Sequence, residues 1–209
     1  MKSITKSLVA AAAALLAALG SAHAATNLVV DGSFEDQAQA TGSWNVYNTL
    51  PGWTTVSGSG IELRNQVAGS AFDGKNFVEL DSYNNSAMAQ TLTTTAGAFY
   101  SLTFEYSARE GVAAASNAID AFWNGSLLGT AMLSGIGQSG NVWHAYSFMV
   151  QGTGSDTLTF AAAGTNDALG GSLDAVAVTA AIPEPSTYAL MFGGLVLIGF
   201  SLRRRRSQR

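Results

Sequence analysis

The groups in this chain that come nearest to a catalytic constellation are Glu79 and Asp81, two carboxylates with one residue between them, and two histidines, His23 and His144. Glycoside hydrolysis by a carboxyl pair needs the two groups facing each other across a cleft, roughly 5–10 Å apart. Residues at i and i+2 instead share one face of a strand. His23 lies in a leader-like segment described below, so a Ser-His-Asp triad would have to use His144. His144 falls in alternation with Tyr146, Phe148 and Val150, the pattern of a core or strand-end histidine. One histidine excludes a multi-histidine zinc centre, and the absence of cysteine excludes disulfides and thiolate metal sites. The residues do not argue for an enzyme.

A sugar-binding site has different needs: an aromatic platform for the apolar face of a pyranose, and planar hydrogen-bonding partners for its hydroxyls. Trp44, Trp53, Tyr83, Trp123 and Trp143 supply aromatic rings. Arg109 continues the polar alternation that includes Glu105, and Asn117 and Asp120 open the next apolar run. If those two segments are neighbouring strands, Arg109, Asn117, Asp120 and Trp123 line one concave face. The competing reading makes Trp53 and Trp143 core fillers and pairs Arg109 with Glu105 or Glu110.

The elements that must position these residues read as strands. "AFYSLTFEYSAR" puts Tyr100, Leu102, Phe104 and Tyr106 on one face and Ser101, Thr103, Glu105 and Ser107 on the other. "WHAYSFMV", "TLTFA" and "LDAVAV" alternate in the same way. Further strands are expected at Leu28–Val30, Gly52–Thr55, Ile61–Arg64, Asn76–Leu80, Ala87–Leu92, Ile119–Trp123 and Leu127–Leu133. Trp123-Asn124-Gly125-Ser126 reads as a tight hairpin, and Gly135–Asn141 as a loop. Sustained helical periodicity is missing between Ala25 and Ile182, and that stretch is the length of one domain. The expected class is an all-β sandwich.

The two ends read as addresses. Lys2 and Lys6, the apolar run Leu8–Leu19 and the triplet Ala22-His23-Ala24 form a secretory signal peptide over residues 1–24, cut before Ala25. At the other end Thr187–Leu202 is an apolar stretch of 16 residues, about 24 Å long as a helix. It could cross a bilayer only with local thinning or help from its flanks. The cluster Arg203–Arg206 would stay cytoplasmic. The Pro183-Glu184-Pro185 triplet, the short transmembrane stretch and the arginines together resemble the PEP-CTERM sorting signal, over residues 183–209. That resemblance implies processing by an exosortase-type membrane protease, a membrane attachment that lasts until processing, and a Gram-negative host that makes extracellular polysaccharide. A plain single-pass anchor is the alternative.

Between the ends, "NLVVDGSFED", "AFDGKNFVELDS" with "QTLTTTAGAFYSLTFEYSAR", and "GGSLDAVAV" resemble, in that order, the galactose-binding-domain-like jelly roll of many carbohydrate-binding modules. The resemblance spans most of Asn27–Thr179 and implies a jelly-roll β-sandwich. It also implies a structural calcium ion held by Glu35 and Asp174, with Asp73 and the turn Asp73-Gly74-Lys75 completing the shell. Ala175 stands where many such modules carry a second consecutive acid.

Between Ala25 and Ile182 the chain has three basic residues, Arg64, Lys75 and Arg109, against thirteen acidic ones, a net −10. Such a domain repels phosphate backbones, so nucleic acid is not an expected partner. The expectation is an exported, non-catalytic protein of the cell envelope or extracellular matrix that binds polysaccharide. The alternative is a purely structural surface or matrix protein without a sugar pocket.

Overall fold

The structure, a computed structural model, describes residues 26–181. The signal peptide, the Pro183-Glu184-Pro185 triplet, the 187–202 segment and the arginine cluster lie outside the described residues.

Twelve strands form two antiparallel sheets. The first sheet has the order β1 (Ser43–Tyr47), β4 (Ile61–Asn65), β5 (Asn76–Glu79), β12 (Ser172–Ala180), β7 (Phe99–Ser107) and β10 (His144–Gln151). The second runs β2 (Thr49–Leu50), β3 (Trp53–Ser57), β6 (Ala87–Thr93), β11 (Ser155–Ala162), β8 (Ile119–Trp123) and β9 (Ser126–Ala131). From β5 to β8, and again from β10 to β12, the chain switches sheet at every connection, which makes the sandwich a jelly roll.

Alternation builds the core. Tyr100, Leu102, Phe104 and Tyr106 of β7 are buried, as are Leu158 and Phe160 of β11 and Ile119, Ala121 and Trp123 of β8. Phe104 meets Phe160 of the opposite sheet edge-to-face at 5.0 Å between ring centroids, and Trp53 packs on Phe34 and Phe160. Each such side chain contributes roughly 1.5–3 kcal/mol by leaving water. Asn124 and Gly125 take φ of 50° and 77°, and Trp123 pairs with Ser126, so the Asn-Gly hairpin forms as expected.

Three expectations change. Leu28–Val30 is not a strand: Leu28 donates one backbone bond to Val178, but the Asn27 side chain otherwise takes the ladder's place. Its Oδ1 accepts from Val29 N at 3.0 Å and Val178 N at 2.9 Å. Edge strand β1 and the short β2 were not anticipated. Trp143 is no core filler; it lies on the outer face of the first sheet, edge-on to Phe77 at 5.9 Å and Phe72 at 6.3 Å. His144 starts β10 and is exposed, the strand-end alternative.

Candidate functional site

On β4, Ile61 and Leu63 point into the core, so Glu62 and Arg64 point to the outer face of the first sheet. Solvated charges are the usual occupants of such a face, yet these two are only 4% and 3% exposed. Glu79 of β5, the register partner of Glu62, is buried beside them. Arg64 Nε donates to Glu62 Oε1 at 2.5 Å, and Arg64 Nη2 pairs with Glu79 Oε2. Arg109 Nη1 lies 3.5 Å from the same Glu79 oxygen and donates to Ala168 O at 3.1 Å. Glu79 Oε1 accepts from Gly170 N at 2.5 Å. Burial pulls the Arg64 guanidinium below its ordinary pKa, and the Glu62 carboxylate opposes that shift.

Two aromatic rings lie beside this charge cluster. Trp44 of β1 is the register partner of Arg64. Tyr83, in the turn that follows β5, meets Trp44 with ring centroids 6.4 Å apart and planes at 61°. Because β4 lies between β1 and β5, the pair bridges β4 at Arg64. Both rings also face solvent, Trp44 at 43% and Tyr83 at 67% exposure. Asp81, 1% exposed, accepts from Asp167 N at 3.2 Å and Ala168 N at 3.1 Å through Oδ2. Its Oδ1, Arg64 Nη1 and Ser82 Oγ are buried and make no hydrogen bond within the protein. Buried polar atoms left open in this way are unusual and costly unless water or a ligand completes them.

The four residues expected on one concave face do not share one. Arg109 belongs to the cluster just described, and its partner is Glu79 rather than Glu105 or Glu110. Asn117 is its neighbour but serves the fold: Oδ1 accepts from Arg109 N at 2.9 Å, and Nδ2 donates to Val112 O at 3.1 Å and Ala113 O at 3.0 Å. Trp123 lies in the core, its Nε1 donating to Gln151 O at 3.0 Å. Asp120 lies on the opposite face of β8, where it accepts from the Thr130 hydroxyl. β8 belongs to the second sheet, whereas Arg109 follows β7 of the first.

The expected metal ligands do converge, but on backbone N–H groups. Asp174 Oδ2 accepts from Phe72 N at 2.8 Å and Asp73 N at 3.0 Å, and Oδ1 accepts from Ala175 N at 2.7 Å. Glu35 Oε1 accepts from Lys75 N at 2.7 Å and Asn76 N at 2.6 Å, while Asp73 Oδ2 accepts from Ser33 Oγ at 2.8 Å. The 72–76 turn therefore offers these acids N–H hydrogens rather than the carbonyl oxygens a calcium shell needs. No group of three or more acidic, histidine or cysteine residues fit to hold a metal occurs among the described residues. The arrangement is a clasp that fastens the turn and does not fit a calcium shell. Burial pushes Asp174 up to about 7 even though three N–H groups favour its ionised form.

A family described as a protein of unknown function, DUF642, matches residues 27–179. The chain belongs to the DUF642 family. Residues 181–206 match the PEP-CTERM protein-sorting motif, which marks this DUF642 protein for export and sorting to the cell envelope. The multifunctional-autoprocessing repeats-in-toxin of Vibrio vulnificus is 28% identical over 156 residues, which are 73% of this chain and 3% of that protein. The chain thus spans about 3% of the length of the curated relative it matches. Among solved structures, one cleaved adhesin domain of Lys-gingipain aligns with a TM-score of 0.52 and 17% identity, over 72% of this chain and 97% of that one. Another, from Porphyromonas gingivalis, gives 0.50 and 15%, over 68% and 100%. At these identities the likeness is one of fold.

Proposed function

We propose that this DUF642 protein is a non-catalytic carbohydrate-binding module of the cell surface or extracellular matrix, binding polysaccharide on the outer face of its first sheet. One observation carries the reading. Trp44, the register partner of Arg64, and Tyr83 present exposed rings beside a buried set of hydrogen-bonding charges. Aromatic faces beside a few convergent polar groups are what a pyranose requires. The sorting motif supports a working place outside the cytoplasm, where such polymers accumulate. Glu79 and Asp81, the nearest approach to a carboxyl pair, lie on one side of the chain rather than across a cleft and are held by guanidinium and backbone groups, which does not support hydrolysis.

The test is retention on polysaccharide from the host's own matrix. Trp44 lies on an edge strand and is partly exposed, so Trp44→Ala should lower retention by one to two decades, about 1–3 kcal/mol, with little loss of fold. Unaltered retention in the variant would remove the site. A wild-type protein that retains no glycan would favour a purely structural matrix role.

A further inference from the structure

The cluster beside the Trp44–Tyr83 pair is not electrically balanced. Its two guanidiniums, Arg64 and Arg109, are both committed: Arg64 pairs with Glu62 and Glu79, and Arg109 lies against Glu79. Asp81, next on the same side as Glu79, has only the two backbone N–H groups and no cationic partner. Lys75, the remaining lysine or arginine of the described residues, is exposed in the turn before β5. The formal sum of the five charged side chains is negative, within a domain that itself carries a net −10 over Ala25–Ile182.

Two attractions therefore act on whatever approaches the exposed rings. Aromatic faces attract cations through the ring quadrupole. A negative charge embedded beside them, in a region of low dielectric, adds to that attraction and repels an acid. Asp81 Oδ1 and Ser82 Oγ, in the segment that leads into Tyr83, are buried acceptors without a partner within the protein. An ammonium carries three donors and no acceptor.

We infer that the glycan taken by this ledge is an amino sugar with a free, protonated amine, rather than a uronic acid or a neutral sugar. The inference rests on the sugar-binding reading above and adds charge selectivity to it.

The experiment is calorimetric titration of the purified full-length protein with three hexasaccharides: glucosamine, N-acetylglucosamine and galacturonate. The glucosamine hexamer should bind at least tenfold more tightly than its N-acetylated counterpart, with no detectable uronate binding. Its advantage should shrink with added salt and vanish once the pH is high enough to neutralise the amine. Asp81→Asn keeps a side-chain oxygen for Asp167 N and Ala168 N, and should bring the two aminohexose ligands to within about twofold. Equal affinity of wild type for the charged and acetylated hexamers, or a preference for the uronate, would overturn the charge selectivity and leave sugar binding standing. If none of the three binds while the host polysaccharide is retained, the amino-sugar inference also falls alone. If that polysaccharide is not retained either, both readings fall together. The pH and salt arms use the unmutated protein, so a variant that fails to fold leaves the test decisive.

Discussion

Asp156 is fully buried and accepts hydrogen bonds from the Thr94 hydroxyl, Asn124 Nδ2 at 2.6 Å, Thr153 N at 2.9 Å and Thr153 Oγ1 at 2.8 Å. Burial alone would raise its pKa, but the donors from Thr94, Asn124 and Thr153 outweigh it and hold the group down at about 2. The folded pKa lies below the ordinary 3.8, so this stabilisation is complete above pH 4 and is lost as the pH falls towards 2. Three loops meet at this side chain: the Asn-Gly hairpin, the end of β6 and the turn before β11. Asp156→Ala would strand all four donors, and the expected loss at neutral pH is roughly 2–4 kcal/mol, read from urea midpoints. A change under about 0.5 kcal/mol would mean that water replaces the carboxylate at no cost.

The strands themselves were legible where one face is buried. β7 and β8 show alternation, and Asn-Gly names its own hairpin, because burial and turn geometry leave a local mark on residue order. Edge strand β1 carries no such mark: its residues are all half-buried or exposed, so Ser43–Tyr47 lacks an apolar period. The role of Trp44 was hidden with it. The pairing of Arg109 with Glu79 was illegible for a different reason. Sheet order places β12 between β5 and β7, and residue spacing does not encode it. The side chains expected around calcium meet the N–H groups of the 72–76 turn, and composition cannot say whether a turn aims its N–H or C=O groups inward. A prediction follows for the 72–76 turn. Because N–H donors already occupy Asp174 and one oxygen of Glu35, melting temperatures with added calcium and with chelator should coincide. An upward shift of several degrees with calcium would show that the turn can reverse its peptides around the ion.

At the scale of the whole molecule the carboxyls bias stability towards mild acid. Burial raises Asp174 to about 7 and also raises Asp31 and Glu105, while Asp156 alone is lowered among the carboxyls with a resolved shift. For a carboxyl whose folded pKa exceeds its unfolded one, the folded state holds a proton between the two values, so stability falls as pH rises through that window. For Asp174 the window runs from about 4 to about 7 and is worth on the order of 4 kcal/mol. The net −10 of the domain acts in the same direction, because self-repulsion grows as its acids ionise. The melting temperature should therefore be higher at pH 5 than at pH 8, and Asp174→Asn should remove much of the difference. An unchanged slope in the variant would assign the effect to surface repulsion alone. The course of β12 has a mechanical corollary. That strand starts beside Glu79, at the aromatic ledge, and its nine residues carry the chain about 26 Å to the opposite end of the sandwich, where the sorting motif begins. A tether joined at that end would hold the domain by the end opposite the ledge, about one strand length from the rings. Strand direction would then turn the rings away from the point of attachment.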